Sequence, residues 1–485
     1  APAARMSRRK GEMIHSLSKE SRNKLLYELL ACAVGVAIAF IPAPEGLDRN
    51  AMLVIATLVW AIINWITRAI PDFAAVLLMS CAWVILGIVP FANAFGSFAG
   101  TTVWLLIAAL GIGMAVTKSG LLARLALLIM KVFPPTFEGQ VAALLSSGFL
   151  IGPFIPSTTA KITIAGPLAA KIGEELGFVD KSKGMTGMWA AMYTGFCLVA
   201  PAIISASFFG YMILNLLPAE TQEQFSFVWW FVCMIPWALI CLVGGFFVIR
   251  ILYKPKNAPK LDKARINEML GDMGPMKKEE KITLVVMLIC VVFWMLERVL
   301  NISSTITAIV GLAVLLGLGI IKPDDYNKGI SWSLITFVGG ALNLANTLNA
   351  VGISDWIGVT FGPAMANLTQ NVYLFVAVEA VAVLLARFVI VDWMTCFTLF
   401  TVILSPFCVS AGISPWIAGV TSYCMIMPWF VKYQNVNFLC GYEACGGDER
   451  IGYKNTLSYA FGFHAIAIIG LLISVPYWSI LGLTG

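Results

Sequence analysis

Gly152-Pro153-Phe154-Ile155-Pro156-Ser157-Thr158-Thr159-Ala160-Lys161 interrupts an apolar stretch, 140–173, that is otherwise long enough to cross a bilayer. Two prolines and a glycine stop a helix there, and the Ser/Thr run stands where a second helix begins. Backbone groups left unpaired inside a membrane must be satisfied by protein, water, ion or solute. A helix start offers free N–H groups and a positive dipole end, which suits a carboxylate. The stretch therefore reads as a re-entrant hairpin that enters and leaves on one side. A second apolar stretch, 371–410, is interrupted in the same way at Arg387-Phe388-Val389-Ile390-Val391-Asp392-Trp393-Met394-Thr395-Cys396-Phe397-Thr398. Thr159 and Thr398 each precede a proline, Pro167 and Pro406, by eight residues, which pairs Ser157-Thr158-Thr159 with Cys396-Phe397-Thr398. Asp392 to Thr395 is the alternative tip.

Around these hairpins the composition is that of a membrane protein. The 485 residues are 59% hydrophobic and only 12% charged, whereas a soluble domain carries roughly a quarter charged residues. Runs of about 20 apolar residues, the length that crosses a hydrocarbon core, occur at 25–41, 51–67, 73–89, 102–131, 186–216, 227–252, 281–299, 304–321, 330–349, 413–440 and 456–481. The predicted fold is all-α and polytopic, with about eleven transmembrane helices and two hairpins. Seven Lys or Arg lie in the tail 1–24, among them Arg8, Arg9 and Lys10, and eight lie in the loop 253–281. Both segments are expected to be cytoplasmic. Six spans separate them, and the expected outer loops 90–100, 217–226, 350–370 and 409–415 hold no Lys or Arg. This places the N-terminus inside and the C-terminus outside, in a bacterial inner membrane. The opening segment has no apolar core of the signal-peptide kind, so the first span is expected to be retained. The basic residues act as orientation signals, so nucleic acid is not an expected partner. Eleven scattered cysteines read as small apolar fillers.

The halves on either side of the basic loop resemble each other. A span containing Trp104 ends in Lys118-Ser119-Gly120-Leu121, a span containing Trp332 ends in Ala350-Val351-Gly352-Ile353, and each is followed by a hairpin. The expected organisation is a basic tail 1–24, a first span and outer loop 25–50, a repeat 51–252 with hairpin 140–173, a linker 253–280, and an inverted repeat 281–485 with hairpin 371–410. Inverted repeats with interrupted helices point to a transporter whose site lies near the membrane midplane.

On these motifs the chain resembles the divalent anion/sodium symporter family, solute carrier 13-like transporters of di- and tricarboxylates and sulfate, over nearly its whole length after residue 25. The resemblance implies an elevator-type homodimer and a substrate site at the hairpin tips. Ser157, Thr158, Thr159 and Thr398 would lie at that site, and Ser157 and Thr159 would meet a sodium ion. It further implies spans that unwind at 201–210, which contains Ser205 and Ser207, and at 428–437, which contains Lys432, Gln434 and Asn435. The family's Ser-Asn-Thr motifs are eroded here: Thr158 stands for the first Asn, and Cys396-Phe397 for the second Ser-Asn. Fewer oxygens remain to hold a hard cation, so coupling stays open between sodium symport, which the resemblance favours, and proton symport or anion exchange, which the eroded second motif favours. No other cofactor is expected.

Charge stands where those oxygens are missing. Lys161 follows the first tip, Arg387 and Asp392 flank the second beside Thr395, and Lys432 lies in the second unwound segment, where it is expected to sit deepest. Ionisable groups in a membrane core cost at least about 2.5–3.5 kcal/mol and so face a cavity or a partner. Lys161 alternatively snorkels, and Arg387 with Asp392 alternatively forms a structural ion pair. Lys432, with Lys161, is expected to supply a fixed positive charge in place of sodium. Glu379 is a candidate proton carrier, with an interfacial or paired carboxylate as the alternative, and His464, which could titrate near neutral pH, reads first as packing. With only His15 and His464 present, a His-rich metal site is excluded and no hydrolase motif occurs, so an enzyme is not expected. An anion channel built from re-entrant hairpins is the remaining alternative.

Overall fold

The computed structural model describes residues 19–256 and 263–485. Residues 1–18, which hold most of the expected basic tail and His15, and the centre of the linker lie outside the described residues. All regular elements among the described residues are helical, in keeping with a bilayer that leaves no backbone group unpaired. In chain order the helices of nine residues or more are α1 (Lys19–Phe40), α2 (Arg49–Thr67), α3 (Asp72–Ile85), α4 (Thr101–Ser119), α5 (Leu121–Val132), α6 (Phe137–Ile151), α7 (Thr158–Glu175), α8 (Lys183–Tyr193), α9 (Phe208–Leu216) and α10 (Phe227–Tyr253). A linker helix, α11 (Lys263–Asp272), leads to α12 (Lys278–Met295), α13 (Ser304–Gly317), α14 (Trp332–Ala350), α15 (Ile353–Thr369), α16 (Val372–Ala386), α17 (Trp393–Ser410), α18 (Pro415–Ile426), α19 (Val436–Ala444) and α20 (Tyr453–Ile480).

Apart from α1 and α11, the two series correspond in order. Two plain helices, α2 and α3, match α12 and α13; the pair α4–α5 matches α14–α15; the hairpin α6–α7 matches α16–α17; the broken span α8–α9 matches α18–α19; and α10 matches α20. Side-chain caps define many of the starts, including Asp48 on Ala51 N, Thr136 on Gly139 N and Asn371 on Leu374 N, each satisfying an N–H that has no partner within its helix.

Among the described residues, six helices, and one pair bent by 70°, are long and apolar enough to cross a membrane. The bent pair corrects the expected outer loop 350–370. That segment is α15, which turns off α14 where Gly352 adopts φ +74°. Ser354, Asp355 and Thr360 dilute its hydropathy, which is why it read as a loop.

The chain divides into two compact units, Ala1–Ala99 with Trp332–Thr360, and Gly100–Ser331 with Phe361–Gly485. In the first, α1 packs on α2 and α3 packs on α14. Gly340 brings α14 so close to α3 that a Cβ there would lie 1.8 Å from Val76 Cγ1. Membrane helices associate through such close van der Waals contact, because lipid tails are as apolar as Leu.

In the second unit α10 lies along α20, α7 packs on α8 and α19, and α17 and α16 pack on α18. A Cβ on Gly148 of α6 would meet the carbonyl carbon of Gly195 at 2.1 Å, so this contact between the hairpin arm and the broken span admits glycine only. The linker is held by a buried, two-pronged ion pair: Arg124 Nε donates to Glu280 Oε1 at 2.7 Å and Nη2 to Oε2 at 3.2 Å. Nη1 and Nη2 donate further to the carbonyls of Gly274 and Met273.

Candidate functional site

The first hairpin ends its inbound arm in a 3₁₀ turn, Gly152–Phe154, and resumes as α7 with Ser157 as its cap, Oγ accepting from Ala160 N at 3.2 Å. The span beside it also breaks. A π-helical turn, Thr194–Leu198, gives way to 3₁₀ turns Ala200–Ala202 and Ile204–Ala206, and helix returns only at Phe208. The second broken span leaves helix after Ile426 and regains it at Val436. The unwound segments 201–210 and 428–437 expected from the sequence thus coincide with real breaks.

In the second hairpin the alternative tip is the actual one. Asp392, not Cys396, caps α17, its Oδ2 accepting from Thr395 N at 2.6 Å. Cys396-Phe397-Thr398 therefore lies inside the helix, about one turn beyond the position that proline spacing assigned to it. Arg387 Nη1 donates to the carbonyls of Ile390 and Val391, closing the turn between the arms. Thr395, Thr398 and Thr401 recur at three-residue spacing on one face of α17, fully buried, with hydroxyls that have no partner among the described residues.

Both tips reach the start of α9. Phe208 N donates to Pro156 O of the first tip at 3.0 Å. The Phe209 ring meets Trp393 and Phe397 of the second hairpin at centroid distances of 4.6 and 5.2 Å. The start of α19 joins through Asn437, which is fully buried: its Oδ1 accepts from Thr159 Oγ1 at 2.6 Å, and its Nδ2 donates to Thr158 Oγ1 at 2.6 Å. Four half-helix starts (α7, α9, α17 and α19) are linked in this way, each presenting first-turn N–H groups that have no partner within the helix. Asn437 was passed over in choosing individual site residues, although it belongs to the segment read as unwound. Only the fold carries it to Thr158, far away in the chain.

Several other predicted site residues hold the breaks together. Ser205 Oγ donates to Pro153 O at 2.8 Å, and Ser207 caps α9. Gln434 Oε1 accepts from Phe430 N and Val431 N at 2.7 and 3.0 Å. Asn435 donates to Met427 O and caps α19. Beneath them the rings of Trp189, Tyr193, Trp429 and Phe438 pack edge to face or stacked, joining α8 to the second broken span.

The two lysines exchange the places expected of them. Lys432 is not the deepest charge: it is more than a third exposed, lies 2.5 Å from Asp448, and sits over the rings of Tyr442 and Tyr453 at 5.0 and 5.3 Å. Hydrogen bonds from Lys432, then Tyr442 and Tyr453 N, hold the Asp448 carboxyl at about 2, below the ordinary 3.8. A carboxyl lowered in this way stabilises the fold above its ordinary value and loses that contribution only as pH falls toward 2, so Lys432 stays balanced at neutral pH. Lys161 is 1% exposed. Its Nζ donates to Ala206 O, in the broken span, at 2.7 Å. An ammonium has three protons to donate, and no carboxylate pairs with this one among the described residues. His464 stacks on Phe430 at 4.1 Å, and its Nδ1 lies 2.7 Å from Ala460 O, as a packing residue.

The comparisons with known proteins agree with this geometry. The chain is 32% identical over 347 residues to a protein of Bacillus subtilis described as a putative malate transporter, covering 70% of this chain and 72% of that one. It is 28% identical to dicarboxylate transporter 1 of Arabidopsis thaliana chloroplasts, with 68% of this chain matching 61% of that protein's length. The solved structure of the YdaH transporter of Alcanivorax borkumensis shares the fold, with a TM-score of 0.56 at 13% identity, over 96% of this chain and 100% of that one. The family described as the sodium:sulfate symporter transmembrane region matches residues 22–484, and the chain belongs to that family of integral membrane transporters.

Proposed function

We propose that this protein carries small organic anions of the dicarboxylate class by alternating access, binding them where the two hairpin tips meet the broken spans. The observation that carries this reading is the linkage of four half-helix starts around a buried, carboxylate-free Lys161. The first-turn N–H groups not taken by the Ser157, Ser207, Asp392 and Asn435 caps, with the Lys161 amino group, are donors of the kind an anion needs, and the Thr398 and Thr395 hydroxyls add neutral ones. The names of the Bacillus and Arabidopsis relatives favour malate or a similar dicarboxylate.

Coupling follows from Lys161. Its amino group already occupies a carbonyl of the broken span beside the first tip, where a sodium ion would need such oxygens, so the reading is a sodium-independent carrier. Ser157 and Thr159 bond to Ala160 N and Asn437, which leaves them less free to ligate sodium. An elevator-type homodimer in a bacterial inner membrane, with the N-terminus inside, completes the proposal on the strength of the family resemblance and the charge distribution.

Purified protein in liposomes tests it. Labelled malate should enter against unlabelled internal dicarboxylate whether or not a sodium gradient is present. Lys161→Met should raise the half-saturating concentration roughly 10- to 100-fold, the worth of one charge-assisted hydrogen bond. Accumulation driven by a sodium gradient alone would overturn the coupling assignment, and failure to exchange any dicarboxylate would overturn the substrate class.

A further inference from the structure

Glu379 lies two turns into α16, the first arm of the second hairpin, and is 3% exposed. Its Oε1 accepts a hydrogen bond from Ser422 Oγ of α18 at 2.7 Å. Its Oε2 is buried and has no partner among the described residues. The elements packed on α16 are α18, α20 and α17. They bring the thiols of Cys424 and Cys408 near the carboxyl. On α20 the buried ionisable side chains are Tyr459, bonded to Thr194, and His464, turned to Ala460 O and the Phe430 ring. No Lys or Arg among the described residues forms an ion pair with Glu379.

An ionised carboxylate in such surroundings would have nothing to balance it, and burial of a lone charge is resolved by taking up a proton. A purely structural role is poorly served by an acid at this position. One oxygen is left without a partner among the described residues, which costs stability, and an amide or an apolar residue of similar volume would avoid the charge altogether. The placement is also mechanically apt. Ser422 stands four residues before α18 ends at Ile426 and the backbone unwinds, and Glu379 belongs to the hairpin whose tip, at Trp393, touches the proposed anion site. A shift of α16 along α18 would break the Glu379–Ser422 bond and open the carboxyl to water.

We propose that Glu379 is a proton-binding site that couples anion uptake to proton entry. One proton passes from the water on the loading side to the carboxylate, travels with the hairpin as the neutral acid, and returns to water on the other side, restoring the carboxylate. This rests on the reading of the chain as an anion carrier and supplies its coupling ion.

The test separates the two claims. In proteoliposomes with an acid exterior, the wild-type protein should accumulate labelled malate against its gradient, by up to a factor of about ten per pH unit for one proton carried. Glu379→Gln should abolish that accumulation while still exchanging labelled for unlabelled malate with no pH gradient, which shows that it is folded and binds substrate. Ser422→Ala removes the donor that favours the ionised form, so the acid should hold its proton more tightly and the pH midpoint of uptake should move upward. The proposal is overturned if Glu379→Gln still accumulates malate under the pH gradient, or if the midpoint is the same with and without the Ser422 hydroxyl. If Glu379→Gln does not reach the membrane, the direction of the Ser422→Ala shift decides. Absence of malate exchange by the wild-type protein would defeat the carrier reading instead.

Discussion

Asn437 shows how much one side chain does at the centre of this protein. Its amide uses both ends, accepting from Thr159 and donating to Thr158, and so ties the first hairpin tip to the second broken span. Replacing it with Ala would leave two hydroxyls and the start of α19 without their mutual partner. Two hydrogen bonds at about 0.5–1.5 kcal/mol each predict a loss of roughly 5- to 100-fold in malate affinity for Asn437→Ala, read from the half-saturating concentration for exchange. Unchanged affinity would mean that the two starts are held together by other contacts. Lys161 and Lys432 differ at the same scale: both are lysines beside a helix break, yet Asp448 balances one and no acidic side chain among the described residues pairs with the other.

Among the elements, the broken spans and hairpins owe their shape to the backbone as much as to side chains. Pro153, Pro156 and Gly152 end a helix that Ser157 restarts, and the carbonyls of Pro153 and Pro156 freed in between accept from Ser205 Oγ and Phe208 N. The linker is secured differently, by the Arg124–Glu280 pair. Removing one member of a buried pair leaves the other charge uncompensated, which costs about 3–5 kcal/mol. Arg124→Met should therefore lower the thermal unfolding midpoint in detergent markedly, and Arg124→Met with Glu280→Met together should recover most of the loss. If the double change is as damaging as the single one, the pair acts through its bonds to the Gly274 and Met273 carbonyls.

For the whole molecule, the arrangement of charge predicts which ends face which compartment. Arg265 with Glu175, and Lys254 with Glu138, are ion pairs at the ends of the first hairpin's arms, beside the basic linker, and the positive-inside bias predicts that they face the cytoplasm. On a cysteine-free background, Ser410→Cys should react with a membrane-impermeant maleimide in intact cells, whereas Lys254→Cys should react only after permeabilisation. The reverse pattern would invert the topology.

Hydropathy, proline and glycine placement and the Lys/Arg asymmetry were enough to read a helical membrane protein with two interrupted hairpins and two unwinding spans, because each depends on local backbone chemistry and on transfer of a segment into lipid. Proline spacing put the second tip one turn late, where the alternative at Asp392 to Thr395 was right, and hydropathy took α15 for a loop, since spacing to a proline does not say which residue caps a helix and a few polar side chains can lower the hydropathy of a real one. Which hydroxyls stay free, which lysine is balanced, and the meeting of Asn437 with Thr158 and Thr159 were decided by tertiary packing alone. Those properties depend on which side chain of a distant segment arrives within about 3 Å, and no pattern along a single chain carries that distance.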